Sequence, residues 1–336
     1  MSTLEIYNSI ECPIEILKFN KKFFKKLYLW PEPKKYYVLG WLMLMYMTLP
    51  AMLVDLVITL HNKQIKLSDF AEHLVELITI MISTYLYIMN RYVQSDFIHI
   101  YKRLTRLQIY HQNDHRFLMD AESLTKLLTQ GLFGFAIIFC HPTFTLIPLL
   151  TYKECKENIN EIMEHNFTSR YIELPVCGLE LKGRYPFDVN NKFWLWLIIE
   201  ISQIIGGIAT TSIPAIVTLL LVEMVIYLIF EINNLKKFIA VVCESGISVQ
   251  EMTRRLEHSL KYHAEIIVIA EMMCDSFGLV FAMHFLLFGL GISLLTLAIA
   301  MGDQTELIRL SMELNAWIFV LFIPNHYGQQ LINETE

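Results

Sequence analysis

The sequence predicts an all-α protein, a polytopic transmembrane helical bundle, and three observations carry that expectation. Apolar residues come in blocks long enough to cross a bilayer. Lysine and arginine crowd the segments on one side of those blocks, and a glycosylation sequon falls on the other side. Of 336 residues, 54% are hydrophobic and 18% are charged, against about 45–50% and about 25% in a soluble domain. The net charge of −6 is mild and suggests no nucleic-acid partner, while the block-wise apolarity makes membrane lipid the expected surroundings.

A spanning helix needs about 20 mostly apolar residues, and six segments qualify: about 37–60, 70–90, 128–150, 193–230, 274–301 and 311–332. The second is the least apolar, with Glu72, His73 and Glu76 near its start. The sixth is interrupted by "IPNHYGQQ". Residues 1–36 precede the first span and lack the basic, apolar, then small-residue order of a signal peptide. Lys and Arg number 18 in residues 1–36, 91–126 and 232–272, against 9 in 61–68, 151–192 and 302–310. That bias places the N-terminus in the cytosol. Asn166-Phe167-Thr168 is a sequon in the long loop 151–192, on the side read as external. Cys155 and Cys177 both fall in the same loop and are the candidate disulfide pair.

The fourth run is too long for one membrane. Residues 193–230 would extend about 57 Å as a helix, so the excess is expected to emerge into the cytosol, with Pro214 and Gly206-Gly207 as candidate bends. Its expected partner is the Gly- and Pro-free stretch Val249 to Phe277, where Met252, Leu256, Ser259, Tyr262, Ile266 and Ile269 recur at helical spacing. The cytosolic helical region 232–272 thus reads as part of a bundle, its apolar stripe a natural subunit contact.

No enzyme signature is present: there is no GxSxG, no HExxH and no glycine-rich phosphate loop. Nor do the six cysteines show metal-type spacing, so no metal and no cofactor is expected. Ionisable residues inside the spans are Asp55, Glu200 and Glu223, either purposeful buried charges or groups near the membrane boundaries. In "FCHPTFTLIP", Pro142 and Pro148 kink the third span, and Phe139 and Phe144 stand beside the kink as a cavity wall or as plain packing. Phe193, Trp194 and Trp196 suit interface anchors.

Four stretches together resemble the insect odorant receptor family. "LYLWP" (Leu27 to Pro31) is similar to the Trp-Pro before that family's first span, and "RYPFDV" to the element closing its long external loop. "KYHAEIIVIAEMMCDSFGLVF" resembles its basic-His segment entering the fifth span, and "HYGQQLINETE" its Gly-Gln-x-Leu element at the inner end of the sixth. The resemblance implies seven spans with a cytosolic N-terminus, in the plasma membrane of a sensory neuron dendrite. It further implies the odorant-tuning subunit of a ligand-gated cation channel, assembled as a tetramer with a shared co-receptor subunit. On that reading Tyr185, Pro186, Phe187 and Asp188 fix the return of the external loop to the membrane, although an ordinary helix approach with Asp188 near the N-cap fits the same residues.

Family members continue into a pore-lining seventh span, whereas this sequence stops at Glu336. Residues 333–336 then read as the start of a truncated cytosolic segment, and a fragment is the expectation. The odorant is expected among the second to sixth spans, against Ile78, Ile82, Tyr85, Phe139, Pro142, Phe144, Ile199 and Gln203. Three rivals fare less well. A G-protein-coupled receptor lacks support from DRY or NPxxY, a transporter from internal repeats, and a gustatory receptor from the TYhhhhhQF signature.

Overall fold

The computed structural model describes residues 21–22, 25, 37–61, 67–110, 116–135, 146, 149–150, 152–153, 155–157, 159, 176–179, 183–242, 247–302 and 304–335. Asn166 and the Leu27–Pro31 stretch lie outside them. The described elements are helical: α1 (Tyr37–His61), α2 (Leu67–Tyr92), α3 (Gln94–Arg106) with a 3-10 turn at Leu107–Tyr110, α4 (Arg116–Phe135), α5 (Phe193–Val242), α6 (Val249–Met301) and α7 (Gln304–Thr335). Among the described residues, four segments are long and apolar enough to cross a membrane: His73–Tyr92, Phe193–Val242, Val249–Met301 and Leu307–Thr335.

The over-long apolar run is one continuous 50-residue helix, α5, at the centre of the bundle. It packs against α1, α2, α4, α6 and α7, and from Ile213 to Ile229 every residue is buried. A helix ringed by protein has no solvent or lipid face, so it needs no polar stripe. The rim helices, by contrast, each bury one side. Along α6 the buried stripe runs Ser259, Tyr262, Ile266, Ile269, Met273, Phe277, Val280, His284, Phe288, Gly291, Leu295 and Ala298, a 3-4 alternation held over eleven turns' worth of contact with its neighbours. Met252 and Leu256 continue the same period but stay 49% and 47% exposed. Ser248 starts the helix, its side chain accepting from the Glu251 amide at 3.3 Å in an S-x-x-E arrangement.

Two prolines sit inside long helices without ending them. Pro214 in α5 lacks the N–H that would bond the Thr210 carbonyl. The Ser83 hydroxyl of α2 donates to that carbonyl at 2.6 Å, sharing its hydrogen with Thr79 O at 2.7 Å. Pro324 in α7 likewise frees the Val320 carbonyl, which accepts from the His284 imidazole of α6. Side chains of neighbouring helices thus satisfy backbone groups that a membrane would leave bare. The "IPNHYGQQ" interruption is therefore bridged, and α7 runs unbroken to Thr335.

At the end of the bundle away from Phe193, the C-terminal part of α5 and the N-terminal part of α6 are joined by polar contacts. The Tyr262 hydroxyl donates to the Glu231 carboxylate and accepts from Asn234 Nδ2 at 3.2 Å. Tyr110 stacks on the Tyr262 ring at 4.8 Å. Further up α5, Glu223 is fully buried and accepts from Thr129 of α4 at 3.3 Å, so it lies inside the bundle rather than outside its core.

Candidate functional site

The chain stretch before α5 is held by contacts that its sequence supplies in order. Cys155 and Cys177 form a disulfide. The Cys177 amide donates to Asn190 Oδ1 at 3.0 Å, and its carbonyl accepts from the Trp196 indole at 3.0 Å. Gly178 follows at φ 73°, where a Cβ would also lie 2.8 Å from the Tyr152 ring, so the turn requires glycine. Asp188 accepts from the Asn191 amide and side chain at 3.1 and 3.0 Å, closing the turn just ahead of α5 rather than capping the helix itself. Pro186 and Phe187 are exposed, with Phe187 5.7 Å from the Tyr185 ring. Tyr185 is hydrogen-bonded to Gln203, and burial pushes its phenol above the ordinary range while that bond pulls the other way. Breaking the disulfide by Cys177→Ser is expected to cost about 3 kcal/mol for a loop of 22 residues. A melting curve of the variant should overlay that of the reduced wild type.

Arg184 carries the strongest tie. Its amide donates to the Ala51 carbonyl at 3.2 Å, and its Nε to Asp55 Oδ1 at 2.5 Å. On the other side of the same carboxylate, His73 Nε2 of α2 stands 2.9 Å from Asp55 Oδ2, and His73 Nδ1 stands 3.4 Å from Glu76. The loop, α1 and α2 thus converge on one carboxylate. Asp55, flagged from sequence as a charge inside a span, is a buried ion-pair partner.

Below this junction lies an apolar cavity of about 110 Å³ between five helices. Thr79 and Ile82 come from α2, Leu132 and Phe135 from α4, and Thr210, Thr211, Pro214 and Ala215 from α5. Phe288 belongs to α6, and Glu313, Ala316, Trp317 and Val320 to α7. The volume approaches the roughly 150 Å³ of an engineered apolar cavity that takes up benzene. The wall on the α6–α7 side is aromatic: Phe288 and Trp317 lie 4.9 Å apart, and His284 stacks on Phe288 at 4.1 Å. Trp317 reaches this position because Gly291 of α6 presents no side chain beneath its ring. The cavity is built from five helices, and its described lining holds no catalytic constellation.

Of the residues expected to touch a ligand, Ile82 lines the cavity. Ile78 is buried one turn nearer the loop. Tyr85 faces α6, its hydroxyl 3.5 Å from the Leu279 carbonyl, and is not part of the wall. Ile199 and Gln203 sit in the first turns of α5, closer to the loop than the cavity residues Thr210 to Ala215. Phe139, Pro142 and Phe144 lie outside the described residues. Phe288, Glu313 and Trp317 were not anticipated. Trp317 had one available signal: a tryptophan in mid-span is displaced from the interfacial position where that residue concentrates.

The architecture is that of a multi-pass helical membrane protein with an apolar cavity between five of its helices. The sequence profile described as "7tm Odorant receptor" matches residues 66–336, and the chain belongs to that odorant receptor family, which is not a family of enzymes. Among solved structures it is similar to the insect olfactory receptor OR5 from Machilis hrabei, at 14% identity and a TM-score of 0.64, covering 97% of this chain and 76% of that one. The structure of that receptor in complex with eugenol gives 15% identity and a TM-score of 0.63 over 93% of this chain and 79% of that one. At such identities the likeness concerns the fold. No curated protein matches the sequence.

Proposed function

We propose that this chain is the odorant-tuning subunit of a ligand-gated cation channel, and that a compact, largely apolar volatile molecule occupies the cavity between α2, α4, α5, α6 and α7. The observation that supports this most is the apolar cavity of about 110 Å³ between five helices in a chain of the odorant receptor family. The similar receptor from Machilis hrabei is known in complex with eugenol. In this reading the N-terminus is cytosolic, the 176–192 segment faces outward, and the partner is a shared co-receptor subunit in the plasma membrane. The exposed Met252, Leu256 and Leu260 on α6 form part of the contact between subunits. Dispersion and aromatic burial select the ligand, and only a ligand that binds the open state better shifts the gating equilibrium.

The test is current evoked by a broad odorant panel in cells expressing the chain with the co-receptor, under G-protein blockade. Ala215→Phe fills the cavity from the central helix and is expected to lower potency at least about tenfold at unchanged surface level. That effect is comparable to the overpacking penalty of such insertions, about 1–3 kcal/mol. Wild-type potency in that variant removes the cavity as the odorant site.

A further inference from the structure

Beside the cavity, α2 is tied to α5 by the hydroxyl of Ser83. That residue is fully buried, and its Oγ stands 2.7 Å from the Thr79 carbonyl of its own helix and 2.6 Å from the Thr210 carbonyl of α5. A serine has one hydrogen to give, and the two acceptors need it unequally. Inside α2 the Thr79 carbonyl already takes the Ser83 amide in the regular helix pattern. The Thr210 carbonyl has no such partner, because Pro214 occupies the matching position in α5. The hydroxyl therefore matters to α5 far more than to α2. Thr79 and Ile82 on one helix, and Thr210 and Pro214 on the other, all line the cavity.

The stretch of α5 held by this bond is easily deformed. Gly206 and Gly207 precede it. Thr210 Oγ1 lies 3.0 and 2.9 Å from their carbonyls, and Thr211 Oγ1 donates to the Gly207 carbonyl at 2.9 Å. Glycines, a proline and hydroxyls bonded back onto their own helix are the features that bend helices. In lipid, apolar side chains gain little by turning from the tails to one another, so close packing and polar ties set the spacing between helices.

We infer that Ser83 is a positioning residue that sets the size limit of the cavity: its bond to the Thr210 carbonyl holds α2 and α5 together along the wall, and without it the two helices part and admit wider ligands. The inference rests on the cavity being the ligand site, and it adds what fixes the width of that site. Ser83 is not among the residues that line the cavity, so its replacement acts on the ligand through the wall.

Benzene and naphthalene separate the outcomes, being alike in chemistry, free of hydrogen-bonding groups and different in size. Ligand-induced thermal stabilisation of the purified full chain in lipid nanodiscs reads binding without needing channel activity. The wild type is expected to half-saturate with benzene at a concentration about tenfold or more below that for naphthalene, since the larger ring overpacks a cavity near benzene size. Ser83→Ala should narrow that ratio by about threefold or more, the scale of one hydrogen bond between helices in a membrane. Pro214→Ala returns an N–H to the Thr210 carbonyl, and in that background Ser83→Ala should move the ratio by less than about 1.5-fold. Should Ser83→Ala fail to fold, Ser83→Cys is close in size with a weak S–H donor and should shift the ratio the same way by less. A benzene-binding chain whose ratio Ser83→Ala leaves at the wild-type value keeps the cavity reading and sinks the role of Ser83. A shift of equal size with Pro214 and with Pro214→Ala also overturns it, because the effect would then not run through the Thr210 carbonyl. So does equal binding of both probes to the wild type, which leaves no size limit to set. If neither probe binds, the cavity reading falls and takes the size limit with it.

Discussion

Replacing Gly291 by alanine is expected to eliminate ligand binding and to destabilise the chain by about 1–3 kcal/mol, the usual cost of forcing extra volume into a packed site. The sign is what makes this informative. In a helix interior, alanine is normally favoured over glycine by about 0.5–1 kcal/mol, so an ordinary helical glycine would gain stability from the change. At Gly291 the new Cβ would fall on the Cζ3, Cη2 and Cε3 atoms of Trp317. The indole must move, Phe288 stands 4.9 Å away on α6, and the free volume beside it is the cavity. The ring would therefore fill the space that the ligand needs. Gly289, two residues earlier, has nothing within 4 Å of its would-be Cβ, and Gly289→Ala should leave melting temperature and ligand response at or slightly above wild type. The double variant Gly291→Ala with Trp317→Leu removes the clash and should regain most of the lost stability, with altered ligand preference. Thermal melts and concentration–response curves on these three variants settle the matter. Gly291→Ala behaving like Gly289→Ala would dispose of Trp317 as the cavity wall.

The contrast between what the residues announced and what they concealed follows from the range of each signal. The 38-residue apolar run and the 3-4 stripe from Ser259 to Ile269 are periodicities along the chain, and α5 and α6 follow from them directly. Where chemistry needs two helices, the sequence is silent about the partner. Nothing near Pro324 names His284, and nothing near Pro214 names Ser83, yet those side chains are why neither helix ends at its proline. The cavity shows the same divide. Ile82 and Tyr85 are neighbours at i, i+3 on one helix, but that face is broad enough for Ile82 to reach the chamber while Tyr85 turns to Leu279. Phe288 looks like any apolar residue in a span, and the close approach of Trp317 to Gly291 across the two helices leaves no mark along either one. The Asp55 charge drew notice as an expensive burial, but its relief by Arg184, 129 positions away in the chain, has no local trace.

That relief leads to the second large effect, expected from Asp55→Leu. The Asp55 carboxylate lies between Arg184 and His73, with the three side chains 10%, 14% and 4% exposed. Removing it takes the same carboxylate away from the Arg184 guanidinium and from the His73 imidazole, and breaking a buried pair from one side costs about 3–5 kcal/mol. Arg184→Met should cost less, because Asp55 then keeps its contact with His73 at 2.9 Å and the loop keeps its backbone bond to Ala51. The order of the two variants is thus a sharper test than either value. Protease sensitivity of the 183–192 segment should rise in both, since each severs the same anchor to α1, and it should rise more in Asp55→Leu. Added salt should scarcely change the difference, because buried charges are poorly screened. The combination Asp55→Leu with Arg184→Met removes both partners of the pair and should be more stable than Asp55→Leu alone. Additive losses in the double variant would mean that the two side chains act separately.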